Sequence, residues 1–201
     1  MRVLLIAEGA GELGDEYESL LGALETLIRR LLPDVPIDIE TDRVSSSRVR
    51  GFHGKGGRLF KRAVAWLREA KKCGFAALIL VVDRDGEKDR VGQISRAQES
   101  DLVQLSRAMG IAIEAFDAWM LADERALTTA LGYTVDRQPD PESIADPKDA
   151  VRALRSQAGL DPSLPELYAN VAHQIGLDLL SERCPQGFAP FAERVRTLSP
   201  R

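Results

Sequence analysis

Phe75-Ala76-Ala77-Leu78-Ile79-Leu80-Val81-Val82-Asp83-Arg84-Asp85-Gly86 is the stretch whose reading decides the fold. Eight apolar residues without polar alternation read as a strand buried on both faces, the pattern of a parallel sheet covered by helices. The run is far too short to cross a bilayer. It stops on two acids and a glycine, so Asp83 and Asp85 are expected at the carboxyl end of the strand. In open α/β sheets that edge is where ligands bind.

The chain start repeats the pattern. Arg2-Val3-Leu4-Leu5-Ile6-Ala7 runs into Glu8-Gly9-Ala10-Gly11-Glu12. With no cleavage site and acids directly after it, this stretch reads as a second buried strand and not as a signal peptide. From Glu12, apolar residues at Leu13, Tyr17, Leu20, Leu21, Leu24, Leu27, Ile28 and Leu31 predict one helix, ended by Pro33. Ile37–Glu40 alternates and reads as an edge strand. A serine- and glycine-rich loop over 45–57 precedes a helix from about Arg58 to Cys73. Beyond Gly86, a helix is expected near Ile94–Met109, closed by Gly110. A short strand at 111–113 follows, then a helix whose Phe116, Trp119, Met120 and Leu121 read as core packing. This order predicts a Rossmann-like parallel sheet flanked by helices, with right-handed crossovers.

After Leu131 the pattern changes. Six of the ten prolines fall between Pro139 and Pro185, and no strand is predicted there. Asp146-Pro147 reads as a helix start, with Gly159 as its stop. Ser163 and Glu166 have capping-box spacing, and a last helix begins near Gly187. The expected division is an α/β domain over 1–131 and a helical C-terminal extension over 132–201 packed on it.

Net charge is −4, but ten Lys/Arg and one acid lie between Arg43 and Lys72, a local balance of +9. The remainder carries −13, since −4 minus +9 is −13. A basic segment on an acidic chain is a candidate anion-binding face, with a solvated helix face as the alternative. Lys55, Arg58, Lys61 and Arg62 are its candidate phosphate or nucleic-acid contacts. Gly54-Lys55-Gly56-Gly57-Arg58 precedes a helix and could cradle phosphate at its N-terminus, though it is not a Walker A motif. His53 is at most a substrate contact. Cys73 and Cys184 lack metal-ligand spacing, so free thiols in a reducing cytoplasm are expected.

Glu8, Asp83 and Asp85 each follow a buried strand. Alone, Glu8 could simply suit a helix dipole, and Asp-x-Asp-Gly could be a turn. If the two strands are neighbours, three carboxylates converge and repel unless a cation neutralises them. Hard oxygen ligands without His or Cys favour Mg²⁺ or Mn²⁺.

Glu8-Gly9-Ala10-Gly11-Glu12 after one strand and Asp83-Arg84-Asp85-Gly86 after another resemble the Toprim domain, closest in form to the OLD-type (overcoming lysogenisation defect) nucleases. The segment from Glu114 to Asp123, Asp146-Pro147-Lys148, and Cys184-Pro185-Gln186-Gly187-Phe188 are similar to motifs of a small Toprim-like bacterial family. The resemblance implies a Toprim-like fold and a metal-dependent nuclease hydrolysing phosphodiester bonds of DNA or RNA. Asp83 and Asp85 would bind metal, with Glu8 in acid–base or metal chemistry. Glu12 and Asp117 would complete a second metal site. It further implies a phage-defence or toxin role beside an ABC- or AAA-type ATPase, with a homodimer among the expected assemblies. Family members commonly carry Lys or Arg where Asn170 stands after Tyr168. Two other readings remain: a non-catalytic module binding nucleic acid or protein, and a phosphatase or phosphotransferase of the haloacid-dehalogenase type. The latter is disfavoured because the first strand ends in Glu8, where that chemistry needs the Asp pair.

Overall fold

Uninterrupted apolar sequence produces the two central strands. In a computed structural model, which describes residues 1–15, 20–49, 56–158 and 162–198, β1 (Arg2–Ala7) and β5 (Ala77–Asp83) lie side by side. In chain order, β1 is followed by α1 (Ala10–Leu13), β2 (Gly14–Asp15), β3 (Leu20–Leu21), α2 (Ala23–Leu31), β4 (Asp38–Arg43) and α3 (Arg58–Lys72). Then come β5, α4 (Asp89–Gln98), β6 (Ser106–Ala112), α5 (Asp117–Met120) and α6 (Glu124–Leu131). A 3-10 turn at Pro141–Ser143 leads into α7 (Pro147–Gln157), α8 (Leu164–Gln174), α9 (Leu177–Arg183) and α10 (Phe188–Arg196).

The main sheet has the order β4-β1-β5-β6 and is all parallel. Val3, Leu5, Ile79 and Val81 point to one face, where α2, α5, α6, α8 and α10 supply the other half of the core. Leu4, Ile6, Leu78, Leu80 and Val82 point to the opposite face and pack on α3 and α4. The fold is therefore an α/β sheet covered on both faces, as the apolar runs predicted. The C-terminal helices share the first core: Phe188 and Phe191 pack on Trp119, which is fully buried, and Tyr168 packs on Phe116. Asp146 caps α7 with Pro147 at its first position, and the Ser163 hydroxyl accepts from the Glu166 amide. Gly159 lies outside the described residues.

Two element boundaries differ from the expectation. The single helix from Glu12 is divided, with the β2–β3 ribbon between α1 and α2. Gly14 takes a positive φ of 82°, and any Cβ on Gly22 would lie 2.3 Å from the Leu13 carbonyl carbon. That close backbone approach is incompatible with a continuous helix. The second difference is that α4 ends at Gln98, so Arg107-Ala108-Met109 belongs to β6. Four carbonyls, those of Ala97, Ser100, Val103 and Leu105, accept from the Arg107 guanidinium, and Gln98 Oε1 accepts from the Met109 amide. These bonds staple the helix end to the strand start. Gly110, expected to close a helix, sits inside β6 because a Cβ there would meet the Phe191 ring at 2.7 Å.

Candidate metal centre

Because β1 and β5 are neighbours in parallel, their carboxyl ends coincide. Glu8 follows β1 and Asp83 closes β5. Glu8, Asp83 and Asp85 each bring a carboxylate oxygen within 4.8 Å of the others. Oxygens on opposite sides of a hard divalent ion are about 4.2 Å apart for Mg²⁺ and about 5 Å apart for a larger ion, so this spacing is on the scale of one such site, with a small inward shift of the side chains for Mg²⁺.

Backbone geometry holds these acids. The Asp83 amide donates to Glu8 Oε2 at 3.1 Å, and Asp83 Oδ1 accepts from the Phe116 amide at 2.8 Å. Asp85 and Glu114 both adopt left-handed backbone, with φ of 49° and 59°. For residues other than glycine this costs on the order of 1 kcal/mol or more, and such strain clusters at ligand sites. It is held by the Asp85 amide donating to the Glu114 carbonyl at 3.0 Å and by an Arg84–Glu114 ion pair.

Two cations from other elements enter the cluster. Arg90 NH1 lies 3.3 Å from Glu8 Oε1, 3.3 Å from Asp85 Oδ2 and 2.5 Å from the Asp83 carbonyl. Lys148 Nζ, carried in by α7, lies 3.2 Å from Asp83 Oδ2 and 3.8 Å from Asp85 Oδ1. Sequence reasoning assigned neither to the site. Lys148 had a signal, since it stands in a motif already singled out; Arg90 had none.

Glu12 and Asp117 border the cluster without belonging to the group of three. The Gly9 amide donates to Glu12 Oε2 at 2.5 Å, and a Cβ on Gly9 would lie 3.3 Å from that oxygen. Burial, then the negative charge of Asp83, with lesser push from Glu8 and Asp117, raises Glu12 to about 8. Burial also raises Asp83 to about 6, against the pull of Lys148 and the Phe116 amide. Asp117 accepts from the buried Tyr168 hydroxyl, whose own pKa is pushed up by burial and by Asp117. Burial opposes the charge on Lys148, but Asp83 and Asp85 hold its ammonium above the ordinary value. Counted as ionised, Glu8, Asp83 and Asp85 carry −3 against the +2 of Arg90 and Lys148, an excess of −1. Asp123 plays a different part: its side chain caps α6.

Through Glu8 the cluster borders a cleft of about 790 Å³, which Glu8 and Arg90 line together with Arg58, Lys61 and Arg62 of α3. Arg58 and Lys61 make no ion pair among the described residues, so they are available to an anion. Arg62 lines the same cleft, but its guanidinium donates to the carbonyls of Val44, Ser46 and Val49, so three of its five N–H donors are already engaged within the protein. Lys55 and His53 lie outside the described residues. The expected phosphate cradle at the start of α3 is filled, because Gln93 Oε1 accepts from the Leu59 and Phe60 amides at 2.9 and 3.2 Å. Those are donors a phosphate would need.

No helix among the described residues is long and apolar enough to cross a membrane. No protein-family model, curated protein or solved structure matches the chain.

Proposed function

We propose that this chain is a divalent-metal-dependent nuclease of the Toprim type, hydrolysing phosphodiester bonds of DNA or RNA. One observation carries the reading: Glu8, Asp83 and Asp85 converge at the carboxyl ends of adjacent strands, and Glu8 also lines a cleft walled by Arg58 and Lys61. Hard oxygen donors with uncompensated charge suit Mg²⁺ or Mn²⁺, held by those three residues. Such an ion supplies Lewis acidity toward a phosphoryl oxygen.

The chain's own residues do the rest. Arg58 and Lys61 bind backbone phosphates and set the strand across the cleft. Lys148, at the edge of the acids, offsets charge that builds on the reacting phosphate. Glu12, raised to about 8, holds a proton at neutral pH and can yield it beside the site. The ATPase partner, the homodimer and the defence role rest on the family resemblance alone, and the cytoplasmic location on the free thiols of Cys73 and Cys184.

A second reading, a non-catalytic nucleic-acid or protein-binding module, has one observation in its favour. Arg90 and Lys148 already pair with the three acids. Cleavage of plasmid, single-stranded DNA and RNA with Mg²⁺ or Mn²⁺ separates the readings. Asp83→Asn keeps an acceptor for the Phe116 amide but should lose roughly 10²–10³ in rate. Wild-type protein that neither binds Mn²⁺ nor cleaves any of these substrates would leave the binding module standing.

A further inference from the structure

Arg90 occupies an unusual position. It stands in the first turn of α4, yet its side chain folds back across the mouth of the carboxylate cluster. A single nitrogen, NH1, faces four oxygens: Glu8 Oε1 and Oε2 at 3.3 and 3.4 Å, Asp85 Oδ2 at 3.3 Å and the Asp83 carbonyl at 2.5 Å. One NH₂ group has two hydrogens, so it cannot serve four acceptors well. The three carboxylate contacts are correspondingly long, and the two-pronged geometry in which arginine binds carboxylates most strongly is not used. The guanidinium is thus anchored by one short bond to the Asp83 carbonyl and by an ion pair of its Nε with Glu87 at 3.7 Å, while toward the three acids it acts only as a distant point charge.

We propose that Arg90 is the resident counter-cation of this cluster, and that a divalent ion displaces it into the adjoining cleft, where it becomes a third phosphate contact beside Arg58 and Lys61. The inference rests on the metal-site reading above and adds its regulation: ion entry and the arming of the cleft become one event.

Charge counting favours the exchange. Glu8, Asp83 and Asp85 contribute −3, and Arg90 with Lys148 returns +2, leaving −1. With a divalent ion in place of Arg90, −3 plus +2 plus the +1 of Lys148 is zero. If Arg90 stayed as well, the cluster would carry +1. The second position is within reach, because Arg90 already lines the same cleft as Arg58 and Lys61 and its side chain is 18% exposed.

The test is Mn²⁺ titration of wild type, Arg90→Gln and Arg90→Lys by calorimetry at fixed ionic strength. Far-UV circular dichroism and melting confirm that each variant is folded. If the guanidinium competes with the ion, Arg90→Gln binds Mn²⁺ about tenfold or more tightly than wild type, because repulsion and displacement are both removed. Arg90→Lys, which keeps the charge, falls between. Equal or weaker Mn²⁺ binding by Arg90→Gln overturns the exchange and makes Arg90 a support for the acids. Absence of Mn²⁺ binding in all three proteins overturns the metal-site reading itself, and the exchange with it. For the second position, a fluorescent single-stranded oligonucleotide is titrated with Ca²⁺ saturating. Arg90→Gln should bind it severalfold more weakly than wild type, and unchanged affinity would overturn the proposed phosphate contact.

Discussion

The backbone amide of Asp83 donates to the side chain of Glu8 over 3.1 Å, joining residues 75 positions apart in the chain. This bond ties the carboxyl ends of β1 and β5 together and aims both acids into one volume. Glu8→Gln keeps an oxygen acceptor and removes only charge. It should melt at or slightly above the wild-type temperature without metal, while Mn²⁺ affinity falls at least about tenfold. Glu8→Ala leaves the amide without its acceptor and should melt lower than Glu8→Gln. Calorimetry with and without Mn²⁺ reads both effects, and equal melting of the two variants would remove the structural role assigned to this bond.

Glu12 gives the metal-free protein a pH dependence whose sign is fixed. Its folded value, about 8, lies above the ordinary 4.5, so ionisation is disfavoured in the folded state. The stability involved is fully present below about pH 4.5 and is lost as pH rises toward 8. Glu12→Gln should match wild type near pH 5 and exceed it by a few kcal/mol, on the order of the shift itself, near pH 8.5. Urea midpoints at the two pH values check this. A variant with the same pH slope as wild type would assign the slope to another group.

The basic residues of the α3 region should divide into two classes. Arg58→Glu and Lys61→Glu should weaken oligonucleotide binding and each flatten its salt dependence by about one phosphate contact, with little change in melting. Arg62→Ala should instead destabilise the protein by about 2 kcal/mol or more, because three backbone carbonyls lose their donor. Fluorescence anisotropy across a salt series, beside melting curves, separates the classes. Loss of binding from Arg62→Ala at full stability would make it a phosphate contact as well.

Gln93 closes the N-terminus of α3 against anions. Gln93→Ala frees the Leu59 and Phe60 amides and should cost about 1–2 kcal/mol. Low-millimolar sulfate should then restore part of the loss, a rise absent in wild type at the same concentration. If sulfate acts equally on both proteins, the freed amides do not form an anion site.

What the sequence determined by itself is what local pattern encodes. Unbroken apolar runs ending at Ala7 and Val82 specified strands buried on both faces, and hence a parallel sheet with helices on each side. Residues placed just past those strands marked Glu8, Asp83 and Asp85 as candidates, and the Asp146-Pro147 and Ser163–Glu166 spacings marked two helix starts. Tertiary structure decided everything that depends on distant neighbours. Periodicity cannot say that Gly22 packs on Leu13, or that Phe191 crosses Gly110, and so it ran one helix through a ribbon and another into β6. Composition counted Arg62 with Arg58 and Lys61, but only the folded loop shows that Arg62 is bonded to carbonyls. Arg90 and Lys148 reach the acids across a turn and a domain's length of chain, for a reason no local pattern carries. A long flexible cation finds its partner only after packing has placed the carboxylates and stripped them of water.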